Sequence, residues 1–375
     1  MGEARNDSCF LGQSAQTLPS GCSAWKTYAF GRAPSISQQL ASTETEYEPG
    51  RLNLVIDSNE LRDELLACLP SLVIDGALAP SGQRVVYLGH FDDSKIPSDV
   101  LPPNAEDADD DGPFLHGWGG WGQIVVKVVS GADPVSLARL QAETTILEEV
   151  RPKNFPKLLY CNLFIDNPVT DERLRARLYV SIEEFIESSP LSDLVDRYRG
   201  DEKRIAELAL GISNALCPLW VHHRKFVHRD IKPANLLIRP SGEVVVIDLG
   251  IVRETGAVGV THDGPGQGPF TPGYGAPEQL NNEKSAVSYK TDFFSIGVLM
   301  YRLLSGVDPF VPRANMAMHE VMIATVSQHP PALVEIAGSS REFSDFVAKA
   351  MMKVPWQRHR TPMLFIEELQ SLQTK

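Results

Sequence analysis

The stretch VHRDIKPANLLIRPSGEVVVIDLG, residues 227–250, decides the fold of this chain. A polar, charged segment runs into the apolar residues NLLI, a turn follows at Pro240–Gly242, and the strand-like run EVVVID comes next. This pattern is typical of a loop that leads into a hairpin. It brings four polar residues to one end of that hairpin, namely Asp230, Lys232, Asn235 and Asp248. One carboxylate can accept a hydroxyl's proton, and the amide and the other carboxylate can offer oxygens to Mg²⁺. The alternative is a surface turn with solvated charges.

The segment resembles the catalytic and metal-binding loops of the eukaryotic-type (Hanks-type) Ser/Thr protein kinases, which are found also in bacteria. HRDIKPANLL matches closely, and DLG stands where D-F-G is commoner, so that Leu249 keeps an apolar anchor. The resemblance implies that Asp230 is the catalytic base and that Lys232 neutralises charge on the transferred phosphoryl group. It also implies that Asn235 and Asp248 bind magnesium and thereby ATP.

If this resemblance holds, a lysine on a strand and a glutamate on the following helix must lie upstream. QIVVKVV supplies Lys127 among β-branched residues, and LARLQAETTILEEV predicts a helix on which Leu140, Glu143 and Leu147 share one face. An acid within an apolar stripe needs a partner, because its burial is otherwise costly. We expect Lys127 to pair with Glu143 and to lie against the α- and β-phosphates. The alternative is that both residues lie on a surface.

Two glycine-rich stretches compete for the role of the phosphate loop. GWGGWG, residues 117–122, fits G-x-G-x-x-G, but Gly122 lies too close to Lys127 for the strand and turn that must come between them. We therefore interpret it as the turn that leads into the lysine strand. The hairpin LAPSGQRVVYLG, residues 78–89, is the better candidate.

In the kinase family this hairpin often reads L-G-x-G-G-x-G-x-V-Y. Four positions fit that pattern, namely Leu78, Gly82, Val86 and Tyr87. Ala79, Ser81 and Arg84 stand where glycines are usual, and the two longer side chains restrict close approach of the backbone to a phosphate. Ser81 can donate a hydrogen bond and Arg84 can add charge. The resemblance implies that Ser81, Gly82 and Val86 contact the nucleotide.

Adenine is expected between the lobes, where LYVSIEEFIESSPL, residues 178–191, resembles the strand and hinge of the family. The resemblance implies that the Glu184 carbonyl and the Ile186 amide face the base. Glu183 then stands at the position that guards the rear pocket, which is unusual for a glutamate.

The C-terminal segments add scaffold residues to this resemblance. In TPGYGAPEQL, Glu278 is expected to form a buried ion pair with Arg360 of QRHRTP. In YKTDFFSIGVLMYRLLSGVDPF, Asp292 is expected to hold the catalytic-loop backbone, and the run FFSIGVLM indicates a buried helix. Thr271 and Lys232 match positions that favour Ser or Thr acceptors.

Regulation by phosphorylation is a further hypothesis from the sequence. A Gly-rich segment between Asp248 and Glu278 contains Thr255 and Thr261. A phosphate on either threonine could pair with Arg229, beside the proposed base.

The motifs and the composition of the segments between them suggest the following organisation. Residues 1–48 read as a disordered tail, residues 49–74 as an extension, 75–183 as a kinase N-lobe with an insertion at 92–120, and 184–375 as the C-lobe. In the extension, a helix is expected to begin at Asp57 with Glu60 in a capping box, and Leu61, Leu65 and Leu69 on one face. In the insertion, DADDDG resembles half of a calcium loop, against the alternative of a solvated acidic loop.

Composition limits the classes of partner. The net charge of −13 disfavours nonspecific binding to nucleic acid or to anionic membranes. The five cysteines show no C-x-x-C spacing, so a reducing, cytoplasmic setting is expected. No apolar run reaches the length of a membrane span.

Together these observations predict an α+β, bilobal protein-kinase-like fold with a small β-rich N-lobe and a larger helical C-lobe. The expected activity is ATP- and Mg-dependent transfer of the γ-phosphate to Ser or Thr of a protein. The sequence leaves open which protein is the substrate and whether this chain dimerises. One alternative is a pseudokinase that acts as a binding module, motivated by the eroded glycine loop. Another is a small-molecule phosphotransferase, although such enzymes typically lack the Lys232 and APE features.

Overall fold

The structure is a computed structural model that describes residues 57–81, 84–95, 118–131, 134–249, 253–254, 270–311, 313 and 315–373. Several sequence predictions lie outside these described residues: the tail at 1–48, the acidic residues Asp107, Asp109 and Asp111, the loop residue Gly82, and the threonines Thr255 and Thr261.

An antiparallel sheet forms the N-lobe, with the strand order β1-β2-β3-β5-β4. Its strands are β1 Leu72–Ser81, β2 Arg84–Phe91, β3 Ile124–Ser130, β4 Leu158–Asp166 and β5 Arg173–Glu184. Helix α1, Asn59–Cys68, precedes the sheet, and helix α2, Pro134–Val150, connects β3 to β4. Strand β1 therefore begins three residues before the expected lobe boundary at residue 75.

The two faces of this sheet pack against different helices, because successive side chains of a strand point to opposite sides. On one face, Val126 and Val180 share a buried cluster with Leu65 of α1. On the other face, Val129 packs with Leu140 of α2. Lys127 lies two residues from Val129 and so shares the α2 face.

The start of α1 differs from the sequence prediction. Ser58 is the N-cap, since its hydroxyl accepts a hydrogen bond from the Leu61 amide at 3.2 Å. The Asp57 carboxylate instead accepts from Arg62 Nε at 2.9 Å and from the Tyr87 hydroxyl at 2.7 Å. The predicted capping box of Asp57 and Glu60 is therefore wrong, although Leu61, Leu65 and Leu69 are buried together as expected.

The structure shows the backbone at the two glycine-rich stretches, GWGGWG and the hairpin at 78–89, except at the residues named above as outside the description. Residues 118–121 form a short 3₁₀ helix immediately before β3, so the interpretation of GWGGWG as a turn is confirmed. Its two tryptophans stack with ring centroids 4.8 Å apart, and Trp118 also packs edge-on against Phe91. Strands β1 and β2 pair as the expected hairpin, with Ser81 opposite Arg84.

The C-lobe is largely helical. Its helices are α3 Leu191–Tyr198, α4 Glu202–Val221, α5 Pro277–Leu280, α6 Tyr289–Ser305, α7 Met318–Ser327, α8 Leu333–Ile336, α9 Arg341–Ala350 and α10 Pro362–Gln373. Its short strands are β6 Ser189–Pro190, β7 Phe226–Val227, β8 Leu236–Ile238, β9 Val244–Val246 and β10 Arg253–Glu254.

Helix α6 is the centre of this lobe and is buried on nearly all sides, as its apolar run predicts. Phe293 stacks on Phe365 of α10 with ring centroids 4.0 Å apart. Gly297 allows α9 to come close, because a Cβ at this position would lie 2.9 Å from the Cβ of Ala350. The α+β bilobal kinase fold predicted from the sequence is thus confirmed. In the described part of the chain, no helix combines the length and the apolar character that crossing a membrane requires.

Candidate active site

The catalytic-loop backbone is fixed by Asp292, near the start of α6. The Asp292 carboxylate accepts hydrogen bonds from the amides of His228 at 3.0 Å and Arg229 at 2.8 Å, and from Trp220 Nε1 at 2.8 Å. Burial raises the pKa of Asp292, and these donors oppose that effect. Arg229 has a φ of 72°, a region that a non-glycine residue rarely occupies. The predicted role of Asp292 in holding this backbone is confirmed.

Asp230 follows directly and accepts hydrogen bonds at both carboxylate oxygens. Lys232 Nζ lies 2.6 Å and Asn235 Nδ2 lies 2.9 Å from Oδ2. The Thr271 hydroxyl donates to Oδ1 at 2.5 Å and accepts from Lys232 Nζ at 3.0 Å. The carboxylate of Asp230 is therefore oriented by an ammonium, an amide and a hydroxyl.

The hairpin of β8 and β9 brings Asn235 close to Asp248. Leu236 pairs with Val246, and the Ile247 amide donates to the Asn235 carbonyl at 2.9 Å, just before Asp248. Gly242, with a φ of 87°, closes the turn between the strands. The Asn235 amide nitrogen is used on Asp230, which leaves the side-chain oxygen as the group for a cation. One amide oxygen and one carboxylate fit a hard, oxygen-seeking ion such as Mg²⁺.

A second group of charges lies on the face of the N-lobe sheet that packs against α2. Lys127 Nζ donates to Glu143 Oε1 of α2 at 2.6 Å, so the ion pair predicted from the sequence is present. Glu183 Oε1 of β5 lies 2.6 Å from the same ammonium. All three side chains are buried. Lys127 thus stands between two carboxylates where the sequence predicted one.

Burial and charge act in opposite directions on these groups. Burial lowers the pKa of Lys127, but Glu143 and Glu183 outweigh it, and the net pKa is raised. Burial raises the pKa of Glu143, but Arg84 and Lys127 outweigh it, and the net pKa is lowered. For Glu183, burial prevails over the attraction of Lys127, so its pKa is raised.

Arg84 of β2 also enters this cluster, with 7% of its surface exposed. One guanidinium nitrogen donates to Glu143 Oε2 and the other to Asp248 Oδ1. Sequence reasoning foresaw only that Arg84 could add charge near the loop. The signal that could have placed it is strand alternation: Val86 pairs with Lys127, so Arg84, two residues earlier, lies on the same face as the lysine.

The remaining predicted nucleotide residues lie on the N-lobe strands and in the connection that follows them. Ser81 ends β1, opposite Arg84, and Val86 pairs with Lys127. Glu184 is the last residue of β5, and its amide donates to the Lys157 carbonyl at 3.0 Å. Ile186 follows in the connection to the C-lobe and is buried.

The scaffold ion pair of Glu278 differs from the prediction. Arg358, not Arg360, forms it: the two terminal nitrogens of Arg358 donate to Oε1 and Oε2 of Glu278 at 2.7 and 2.8 Å. Arg358 is buried after the 3₁₀ turn Pro355–Gln357, whereas Arg360 is exposed. The predicted pair with Arg360 is therefore wrong.

Fold and site together define a protein-kinase domain. The family model described as protein kinase domain matches residues 123–368, and the chain belongs to this family. This range begins after the β1–β2 hairpin, so Arg84 lies outside it. The resemblance to Hanks-type Ser/Thr kinases drawn from the sequence is confirmed.

Curated relatives come from bacteria and plants. The chain is 35% identical over 181 residues to serine/threonine-protein kinases PknA of Corynebacterium glutamicum, covering 47% of this chain and 36% of that protein. It is 32% identical over 247 residues to mitogen-activated protein kinase kinase 9 of Arabidopsis thaliana, covering 64% and 73%. It is 29% identical over 250 residues to the probable serine/threonine-protein kinase PknB of Bifidobacterium longum, covering 64% and 34%. The chain thus spans about a third of the length of these two bacterial relatives.

Proposed function

We propose that the protein transfers the γ-phosphate of ATP to Ser or Thr side chains of a protein substrate, with Mg²⁺ as the metal. The observation that carries this proposal is the environment of Asp230. Its Oδ1 accepts a hydrogen bond from the Thr271 hydroxyl, and Lys232 Nζ lies 2.6 Å from Oδ2. A carboxylate that accepts a hydrogen bond from one hydroxyl can do the same for the hydroxyl of a substrate and act as its base, and the ammonium beside it suits a phosphoryl group in transfer.

The other roles follow from charge and position. Lys127, oriented by Glu143, would bind the α- and β-phosphates. Asn235 and Asp248 would hold magnesium, which supplies charge neutralisation on the phosphates when bound. Rate enhancement would then come from positioning and from fixed charges.

We further propose that adenine binds against the connection between the lobes. The Glu184 carbonyl and the Ile186 amide would hydrogen-bond the base, and Val86 would cover it. Ser81 and Gly82 would border the phosphates from the β1–β2 hairpin.

Ser or Thr is favoured over Tyr as the acceptor by Lys232 and Thr271, which contact each other and Asp230. The names of the bacterial relatives support the same preference.

A pseudokinase is the second candidate, and one observation favours it. Arg84 binds Asp248, and Glu183 binds Lys127, so two groups of the site are engaged by side chains of the protein itself. A protein that only binds partners could retain such an arrangement.

Purified protein incubated with γ-labelled ATP, Mg²⁺ and a generic protein substrate separates these candidates. Asp230→Asn tests the base, and Asp345→Asn, an exposed acid on α9, is the matched control. We expect label in Ser and Thr for the wild type and for Asp345→Asn, and at least about a hundredfold loss in Asp230→Asn. ATP binding without transfer would favour the pseudokinase, and transfer only to small metabolites would favour a small-molecule phosphotransferase.

A further inference from the structure

Arg84 and Lys127 are held by the same carboxylate. Lys127 binds Glu143 Oε1 and Arg84 binds Glu143 Oε2, so Glu143 fixes an ammonium and a guanidinium next to each other. Arg84 also donates to Asp248 at its other nitrogen. The arginine therefore links α2 to the segment that follows the β8–β9 hairpin.

The cluster around Arg84 and Lys127 carries an excess of negative charge. Two cations, Arg84 and Lys127, face three carboxylates, those of Glu143, Glu183 and Asp248. Mg·ATP would still add net negative charge beside this cluster, because one Mg²⁺ offsets only part of the charge of the triphosphate. If Arg84 moved away, the excess of negative charge would grow, so electrostatics favours an arginine that stays beside the phosphates.

The β1–β2 hairpin gives a second reason for a phosphate-binding arginine. Ala79, Ser81 and Arg84 occupy positions where the family usually has glycine, so the backbone has less freedom to approach phosphate oxygens. A charged side chain at the end of this hairpin can supply the donors that the loop lacks. Arginine suits the task, because its planar fork can hold two acceptors at once.

Resting on the proposed function, we propose that Arg84 is a phosphate-binding residue that works as a second cation beside Lys127. In the structure its guanidinium bridges Glu143 and Asp248. With nucleotide and metal bound, the nitrogen that faces Asp248 would donate to a phosphate oxygen, and the nitrogen that faces Glu143 would keep its partner. Glu143 thereby positions both phosphate-binding cations.

Isothermal titration calorimetry on the full chain tests this inference at saturating Mg²⁺, with ATP and with adenosine as ligands. Arg84→Gln removes the charge, and Arg84→Lys keeps the charge but loses the fork. Arg175→Gln is the matched control, since Arg175 is an exposed arginine of β5 in the same sheet. We expect Arg84→Gln to weaken ATP binding at least about tenfold and to leave adenosine binding within about twofold. Arg84→Lys should fall between, and Arg175→Gln should match the wild type.

Equal or tighter ATP binding by Arg84→Gln would overturn the inference, as would an equal loss of ATP and adenosine binding in both Arg84 variants. If Arg84→Gln does not fold, Arg84→Lys decides, and wild-type ATP affinity in that variant overturns the inference. A wild type that binds ATP through Arg84 but transfers no phosphate would overturn the proposed function alone. An active kinase whose Arg84→Gln variant binds ATP normally would overturn the inference alone, and a wild type that binds no ATP would overturn both.

Discussion

Glu183 Oε1 of β5 lies 2.6 Å from the ammonium of Lys127, at the position where the resemblance places the guard of the rear pocket. Strand register explains the contact: Lys127 pairs with Ser181, and Glu183, two residues on, lies on the same face of the sheet. If Lys127 binds phosphate as proposed, Glu183 would compete with that phosphate for the ammonium. The buried acid would then add negative charge beside a polyanion.

Glu183→Gln should strengthen Mg·ATP binding about fivefold. Glutamine keeps the size of the side chain but removes the negative charge that lies 2.6 Å from the Lys127 ammonium. The lost repulsion toward a triphosphate is worth about 1 kcal/mol. Dissociation constants from calorimetry at pH 7.5 measure the change. Unchanged or weaker ATP binding by Glu183→Gln would contradict this prediction.

The difference in ATP affinity between the wild type and Glu183→Gln should depend on pH. Because burial raises the pKa of Glu183, this side chain keeps its proton to a higher pH than an ordinary glutamate does. Where Glu183 is protonated, wild type and Glu183→Gln should bind ATP equally. As pH rises through the raised pKa, the wild type should bind progressively more weakly than the variant. ATP dissociation constants are measured for both proteins at each pH, and their ratio removes the effect of the ionisation of ATP itself. A ratio that does not change with pH would contradict this prediction.

Much of the catalytic loop could be predicted because its residues are close in sequence. Asp230, Lys232 and Asn235 lie within one loop, and the short β8–β9 hairpin brings Asp248 back to it. The pair of Lys127 and Glu143 was predictable from burial, since an acid in an apolar stripe requires a cation.

Other features depend on tertiary geometry that local patterns do not contain. The family pattern places Arg84 at a glycine position, and only the pairing of β2 with β3 puts its side chain on the same face as Lys127. Arg358 and Arg360 are two residues apart, and the turn at Pro355–Gln357 decides which of them is buried. At α1, Ser58 and Asp57 are both good caps, and the contact of Asp57 with Tyr87 leaves Ser58 as the N-cap.

Arg358→Ala should destabilise the protein by about 3 to 5 kcal/mol, because it leaves the buried Glu278 carboxylate without its cation. Arg360→Ala is the matched control and should change the free energy of unfolding by no more than about 0.5 kcal/mol. Urea unfolding followed by tryptophan fluorescence measures both. A larger loss in Arg360→Ala than in Arg358→Ala would restore the pairing expected from the sequence.

Helix α1 should contribute to the stability of the N-lobe. Leu65 has no exposed surface and packs in the same cluster as Val126 and Val180. Leu65→Ala should cost about 2 to 5 kcal/mol of unfolding free energy, through lost burial and the cavity left behind. Asp63→Ala, on the exposed side of α1, serves as the control. Equal, small effects of the two substitutions in urea unfolding would show that α1 does not stabilise the sheet.

Lys353 should make the stability of the protein depend on pH in the alkaline range. Its ammonium lies 4.0 Å from the centre of the Phe310 ring and donates to the Thr325 carbonyl at 2.8 Å. Burial, with a smaller contribution from Arg358, lowers the pKa of Lys353 to about 8, against 10.5 for an ordinary lysine. Between these two values the unfolded chain binds more protons than the folded protein, so stability rises with pH.

The comparison of wild type with Lys353→Met isolates this effect. Below pH 8, Lys353 is charged in both states, and the difference in unfolding free energy between the two proteins should be constant. From pH 8 to 10.5 this difference in unfolding free energy should shift in favour of the wild type. The slope should be less than about 1.4 kcal/mol per unit of pH, because water screens the partly buried charge. Urea unfolding at several pH values measures the slope. A difference that stays constant up to pH 10.5 would mean that Lys353 keeps its proton in the folded state.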